Sequence, residues 1–168
     1  VQNVPPSIVV QAGDYGRQTI DTSQVDVQIG DSGGVTTMQV AFSESDMRSI
    51  CQQYSVICTP SGSPVRNATF NFRPGGMVVN GEFFVEQVGI WQAIGVVLRV
   101  SGNQLVFEGV DVNGQLFAVP PDELGSLVAE VENTANDLLR QLTVQASGET
   151  FTLRELYIDD VNLTLVLR

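Results

Sequence analysis

The chain has 168 residues, of which 43% are hydrophobic, and 19 acidic against 8 basic residues give it a formal net charge of −11. That length predicts a single domain with one sizeable core over residues 1–168. Every basic residue is an arginine and histidine is absent. The surface therefore lacks the cationic patch that binds nucleic acid or holds anionic lipid headgroups electrostatically, and we expect neither kind of partner.

The N-terminal segment, residues 1–24, is of uncertain structure, and we place the core α+β domain at residues 25–168. The start of the chain resembles neither a signal peptide nor a start methionine, and no stretch reaches the ~18 consecutive apolar residues that span a bilayer. A chain whose leader has been removed would look like this, and so would a domain excised from a larger protein. We expect an extracytoplasmic location, in the cell envelope or secreted. An N-terminal segment removed from this sequence would be the anchor of an envelope-bound form.

Two alternating segments and a short helix open the core domain. Apolar and polar residues alternate over residues 25–29 and again over residues 38–42, which predicts two half-buried strands joined by a glycine-rich turn at residues 30–34. Ser43 and Asp46 have the spacing of a capping box, so a helix is predicted to begin there. Its apolar face holds Met47, Ile50, Cys51 and Tyr54.

The two cysteines, Cys51 and Cys58, are seven residues apart. An unbroken helix between them would separate their Cα atoms by about 10.5 Å, too far for a disulfide. The helical pattern fades after Tyr54 and a loop follows at residues 59–64, so the chain has room to fold back. We predict a disulfide, with two free, buried thiols as the alternative. We expect no metal site, because zinc would need further cysteine or histidine ligands that the chain does not contain.

Hairpins follow the loop. Phe70 and Phe72 share one face of a predicted strand, residues 74–76 form a turn, and the returning strand carries Met77, Val79, Phe83 and Val85 on one face. A second hairpin is predicted at residues 92–100 and 104–112, with a short strand after it at residues 115–119. Leu105 and Phe107 are out of phase with the apolar residues that follow them, which predicts a bulge near Gly109.

A long helix and a last hairpin complete the chain. The sequence Pro120-Pro121-Asp122-Glu123 is typical of a helix start, and the helix is predicted to run from about Pro121 to Leu142, roughly 33 Å. Its apolar stripe consists of Leu124, Leu127, Val128, Val131, Ala135, Leu138, Leu139 and Leu142. Residues 151–158 and 161–167 are predicted to form the terminal hairpin, turned at Asp159 and Asp160.

Three motifs suggest chemistry that the chain does not support. Residues 30–34 spell the sequence around the nucleophile of chymotrypsin-like proteases, but Ser32 has no histidine anywhere in the chain to take its proton. Residues 111–115 resemble the start of a calcium loop, but the glutamate that such a loop needs at its end is missing. Asp159 and Asp160 are adjacent in a predicted turn, which is typical of solvated residues. We predict no catalytic residue, no cofactor and no enzymatic activity.

The order of these elements resembles that of the LmeA-like bacterial phospholipid-binding proteins and related tubular lipid-binding (TULIP-like) lipoproteins. The resemblance covers roughly residues 25–168 and is carried by AFSESDM at residues 41–47, FNFRPGGMVVNG at residues 70–81 and VPPDEL at residues 119–124. It implies an α+β fold in which a curved, mainly antiparallel sheet wraps around one long helix in the C-terminal half, with a second short helix. It also implies an apolar cavity between helix and sheet, and work on lipids outside the cytoplasm.

Burial requirements indicate which residues would line such a cavity, because only the alternating hairpin faces offer as much apolar area as the helical stripe. The expected lining is Leu124, Leu127, Val128, Val131 and Leu138 together with Phe70, Phe72, Phe83 and Trp91. Trp91 fits equally well at the rim, where its N–H would reach water. A helix packed tightly on a bent sheet would give the same sequence pattern, so a filled core and an open groove are equally consistent with it.

Two functions from different classes follow from these observations. The first is an extracytoplasmic, non-catalytic binding or carrier domain for a lipid or other apolar small molecule, held mainly by its chains because the domain is acidic. The second is a cell-envelope structural or protein-interaction module with a filled core. A continuous apolar cavity favours the first, and a filled core with an exposed apolar patch favours the second.

Overall fold

The structure is a computed structural model that describes residues 4–13, 16–118 and 122–168, apart from the side chains of Ser32, Tyr54 and Glu123. These residues form twelve strands, two α-helices and one short 3-10 helix. The strands are β1 Ser7–Ala12, β2 Arg17–Asp21, β3 Asp26–Ser32, β4 Val35–Ser43, β5 Val65–Arg73, β6 Gly76–Val85, β7 Ile90–Ser101, β8 Gln104–Val112, β9 Gln115–Phe117, β10 Leu142–Ala146, β11 Glu149–Ile158 and β12 Asn162–Leu167. The helices are α1 Glu44–Tyr54, α2 Asp122–Gln141 and the 3-10 helix Val56–Cys58.

All strand pairs are antiparallel, and the described strands form two sheets. Seven strands from both ends of the chain form one sheet in the order β2-β1-β10-β11-β12-β4-β3, and five consecutive strands form the other in the order β5-β6-β7-β8-β9. The seven-stranded sheet curls into a half-barrel around α2. The fold class predicted from the sequence, a curved antiparallel sheet around one long helix with a second short helix, is therefore confirmed.

One hydrophobic core joins the two sheets and α2. Residues from β1, β4, β7, β8, β12 and α2 belong to a single buried cluster, and the side chains most completely buried in it include Ile8, Met38, Val110 and Leu167. Leu124 and Val128 place the first turns of α2 in this cluster. Neither of the two helices in the described ranges is long and apolar enough to cross a lipid bilayer.

The helix α1 begins as the sequence predicts. The Ser43 hydroxyl accepts a hydrogen bond from the Asp46 N–H at 3.0 Å, and the Asp46 carboxylate accepts one from the Ser43 N–H at 2.9 Å, which completes a capping box. The neighbouring Glu44 carboxylate accepts a hydrogen bond from the Phe72 N–H at 2.6 Å. Phe72 lies in β5, an edge strand, so α1 covers one open edge of the five-stranded sheet.

The two cysteines form the predicted disulfide. The helix α1 ends at Tyr54, and the 3-10 helix that follows turns Cys58 back towards the last turn of α1. The Cα atoms of Cys51 and Cys58 are thereby 5.7 Å apart, within the range that a disulfide requires, and the bond is formed.

The helix α2 covers the other open edge of the same sheet. β8 pairs with β7 along its whole length, but β9 covers only the end of β8 at residues 110–112. The Asn136 side chain accepts a hydrogen bond from the Leu105 N–H and donates one to the Leu105 carbonyl, both at 2.8 Å. One turn earlier on the helix, the Glu132 carboxylate accepts a hydrogen bond from the Phe107 N–H. Side chains of α2 thus satisfy backbone groups that a neighbouring strand would otherwise satisfy.

The predicted bulge in β8 is also present. Phe107 lies opposite Leu98 in β7, Gly109 lies opposite Val97, and Glu108 is the extra residue between them. The bulge returns Val110 to the face that Leu105 and Phe107 occupy. Leu105, Phe107, Val110 and Val112 therefore share one face of β8, whereas Val106 lies on the other.

Three strands were not predicted from the sequence, and one helix boundary was wrong. The segment 1–24 contains β1 and β2, and β10 follows α2 without a loop. Leu142, placed at the end of the helical stripe, is the first residue of β10, because it pairs with Ala12 of β1. Pro121 and Val119, the predicted start of the helix and end of the short strand, lie outside the described residues.

Candidate functional site

The strongest candidate site is an open cavity of about 350 Å³ beside the connection between β6 and β7. We call it the β6–β7 cavity, and it is lined by Val85, Gln87, Val88, Ile90, Gln92, Val112, Phe117 and Leu124. It lies where the five-stranded sheet meets the first turn of α2. Its volume falls near the lower end of the range typical of small-molecule sites, about 300–1,000 Å³.

Strand register explains why these side chains converge. Val85 pairs with Ile90 across a four-residue connection, residues 86–89, and Phe83 pairs with Gln92. Paired residues of an antiparallel sheet point to the same face, so all four lie on the face that also carries Phe70 and Phe72. We call this the inner face, because buried residues of β5 to β8 line it.

Rim exposure distinguishes this cavity from the rest of the inner face. Val88 is 64% exposed and Ile90 is 53% exposed, whereas Leu124 at the base of the cavity is 2% exposed. Large aliphatic side chains that line a cavity at one end and face water at the other are typical of a binding surface. A ligand that covered the rim would remove this apolar area from water.

The cavity carries no charged side chain among the described residues that line it. Three acidic residues are direct sequence neighbours of lining residues, namely Glu86, Asp111 and Glu123, and Glu86 is exposed. Because the walls are apolar apart from two glutamines, the lining offers neither a nucleophile nor an acid or base for catalysis. No cluster of metal-binding side chains is found in the described ranges either.

The structure brings together most of the residues predicted to line a cavity. Leu124, Val128 and Phe72 are buried in the core cluster, and four others are half-buried against it, namely Leu127, Val131, Phe70 and Phe83. They fill the space between the sheet and the first half of α2, so that Leu124 alone of the predicted residues also lines the β6–β7 cavity. Leu138, later on α2, is half-buried outside the cluster.

Trp91 is not brought to this set. It pairs with Phe84 on the face of the sheet opposite Phe83, and the centroids of the two rings are 5.2 Å apart. The Arg66 guanidinium lies 3.9 Å from the centroid of the Trp91 ring, in cation–π geometry. Glu82 accepts hydrogen bonds from the side chains of Asn67 and Arg66, which together lower the pKa of the Glu82 carboxyl. This cluster stabilises the outer face of the sheet.

A second cavity, of about 300 Å³, lies at the opposite end of α2 between that helix and β10 and β11. Its lining includes Leu139, Leu142 and Leu153 but also Asn136, Arg140 and several other polar side chains. Asn136 is already held by its hydrogen bonds to β8. The mixture of charged and polar groups suits water better than an apolar ligand.

The residues that sequence reasoning missed are those contributed by the β6–β7 connection and its neighbours. Val85 was assigned to the same face as Phe83 but not to a site, and Val88, Ile90, Val112 and Phe117 were not singled out. The signal for them is the register of β6 against β7, because the connection at residues 86–89 sets Val85 opposite Ile90 and Phe83 opposite Gln92.

Comparison of the chain with protein-family models, with curated proteins and with solved structures finds no match in any of the three.

Proposed function

We propose that this chain is a non-catalytic binding or carrier domain for a lipid or other apolar small molecule, and that an apolar part of the ligand enters the β6–β7 cavity. The observation that carries the proposal is the cavity itself, which has apolar walls, a buried base at Leu124 and an exposed aliphatic rim at Val88 and Ile90. Fully burying one such side chain contributes about 1.5–3 kcal/mol, so the rim alone supplies a useful part of a binding free energy.

The size of the cavity limits what enters it. At roughly 30 Å³ per non-hydrogen atom, the share of volume of a water molecule in the liquid, 350 Å³ holds about a dozen non-hydrogen atoms. That is one short chain or the end of a longer one. A whole lipid with two chains would extend beyond the cavity over the exposed rim.

We further propose an extracytoplasmic location, as the resemblance to the tubular lipid-binding proteins implies. The disulfide between Cys51 and Cys58 supports it, because such bonds persist in oxidising compartments. Titration of thiols under denaturing conditions, in protein recovered from its native compartment, is expected to find none. Two free thiols would contradict this part of the proposal.

Native mass spectrometry after gentle purification tests ligand binding. The wild-type chain is expected to carry an additional apolar mass, and Val112→Trp, which fills the cavity, is expected to lose it. Val161→Trp is the matched control, because Val161 is 66% exposed and lies in the turn between β11 and β12, away from the cavity lining. An unliganded mass for the wild type, together with no binding of added alkyl chains, would contradict the proposal.

A second candidate function, a cell-envelope structural or protein-interaction module, is favoured by a different observation. Apolar side chains fill the space between the sheet and the first half of α2, and the cavity rim exposes the large aliphatic side chains of Val88 and Ile90. A large exposed apolar patch is also typical of protein contacts. An unliganded mass with concentration-dependent association would favour this second function.

A further inference from the structure

The inner face of the five-stranded sheet contains one residue that does not fit its surroundings. Gln92 lies in β7 between Ile90 and Ile94 on the inner face, opposite Phe83 in β6. Its side chain is half-buried and lines the β6–β7 cavity. Within the described part of the chain, no other residue forms a hydrogen bond with this amide, although the hydrogen bonds of other glutamine and asparagine side chains are identified, such as those of Asn136.

No buried side-chain polar atom of the described residues lacks a hydrogen-bond partner, so the half-buried Gln92 amide reaches water at the cavity opening and gains no hydrogen bond within the protein from its place on an apolar face. An aliphatic residue at this position would continue the alternation of β7 and stabilise the sheet. Side chains that break such a pattern without a gain in stability are often those that contact a ligand, since binding sites combine apolar walls with a few polar groups that fix orientation.

We propose that the Gln92 amide orients the ligand by hydrogen-bonding its polar end, and that this end is uncharged, as in an alcohol, an ester or an amide on a single short chain. The inference rests on the proposed function, since it assigns a ligand class to the same cavity. A glutamine amide both donates and accepts hydrogen bonds, so it pairs with groups that do the same.

Electrostatics exclude a charged end from the cavity. A carboxylate or phosphate would need a cation, and no arginine is among the described lining residues, while Glu86, between the lining residues Val85 and Gln87, is acidic. A cationic end would find no carboxylate among the described lining residues to replace its hydration. An uncharged polar end loses the least hydration free energy on entering the cavity, and it can form a hydrogen bond with the Gln92 amide.

The test compares n-octanol with octanoate, which have chains of the same length and fit a cavity for about a dozen non-hydrogen atoms. Dissociation constants are measured by NMR titration at pH 7 for the wild type, Gln92→Met and Gln39→Met. Methionine replaces glutamine at similar volume without the amide. Gln39 is the matched control, because it is an exposed strand residue in β4 of the other sheet.

The wild type is expected to bind n-octanol at least ten-fold more tightly than octanoate. Gln92→Met is expected to weaken n-octanol binding about five-fold, the equivalent of one hydrogen bond, with thermal stability unchanged or raised. Gln39→Met should leave the affinity unchanged. A stable Gln92→Met variant with weaker binding separates a ligand contact from a structural role.

Three results would overturn this inference. The first is octanoate binding as tight as that of n-octanol, and the second is an unchanged n-octanol affinity in Gln92→Met. Either result would show that the amide does not contact the ligand, but the binding of alkyl chains would still support the proposed function. No binding of either compound to the folded wild type would overturn the inference and the proposed function together.

Discussion

One substitution removes the hydrogen bonds that Asn136 of α2 makes to the open edge of β8. Asn136 accepts a hydrogen bond from the Leu105 N–H and donates one to its carbonyl, and Leu105 is 5% exposed. Asn136→Ala removes both bonds and leaves the two backbone groups without a partner in the protein. Asn133→Ala makes the same change on an exposed position of the same helix and serves as the control.

The expected cost follows from three contributions. Each lost hydrogen bond lowers the free energy of unfolding by about 1 kcal/mol, and alanine returns up to about 0.7 kcal/mol through its higher helix propensity. Asn136→Ala should therefore be destabilised by about 1.3 kcal/mol, whereas Asn133→Ala should be equal to the wild type or slightly more stable. For a chain of this size, the first change lowers the Tm by about 3–5 °C.

Urea denaturation followed by circular dichroism measures this difference, provided that the m-value is the same in all three proteins. Hydrogen exchange at the Leu105 amide gives a local measurement, and we expect it to accelerate in Asn136→Ala alone. Equal stability of Asn136→Ala and Asn133→Ala, with unchanged exchange at Leu105, would refute the role given to Asn136 in covering the sheet edge.

Three further predictions concern the core, the disulfide and one turn. Leu127→Asp should lower the unfolding free energy by about 2–4 kcal/mol, because it brings a charge against the core. Ala129→Asp, on the exposed face of α2, should change the stability little. Equal stabilities of the two variants would show that the Leu127 face is exposed. Reduction of the Cys51–Cys58 disulfide should lower the unfolding free energy by about 2–3 kcal/mol in urea titrations, the value for so short a loop, and an unchanged midpoint would contradict this. Asp159 accepts hydrogen bonds from two backbone N–H groups of the β11–β12 turn, which lower its pKa. The ionised Asp159 side chain should therefore stabilise the fold at neutral pH, and this contribution should disappear as the pH falls through the lowered pKa. Denaturation curves of Asp159→Ala and the wild type should differ at pH 7 and converge in acid. A difference that stays constant with pH would contradict this role of Asp159.

Local signals were readable in the sequence. The capping box of Ser43 and Asp46 and the bulge at Gly109 each depend on residues a few positions apart, and both are present in the structure. β1 was missed because Val9 and Val10 are adjacent apolar residues that break the alternation of a half-buried strand, and because one of its two partners, β10, is about 130 residues away. Propensity and spacing carry no information about such a distant partner.

The candidate site was predicted only in part for a similar reason. Phe70, Phe72 and Phe83 were placed on one face correctly, since each hairpin strand keeps its own alternation. Trp91 was grouped with them, but the connection of four residues between β6 and β7 sets it opposite Phe84. A change of one residue in the pairing moves every side chain of a strand to the other face. The length of that connection could not be fixed before the structure was known.

The order of strands in the seven-stranded sheet has a consequence for synthesis of the chain on the ribosome. The five-stranded sheet is a meander whose strands can pair as soon as they emerge, but β1 must wait for β10 and β4 for β12. At about 5–20 residues per second, β1 waits on the order of ten seconds with one of its edges unpaired. During that interval exposed edges of neighbouring nascent chains can pair with each other. The acidic composition opposes this, because chains that share a high negative charge repel one another before they have folded.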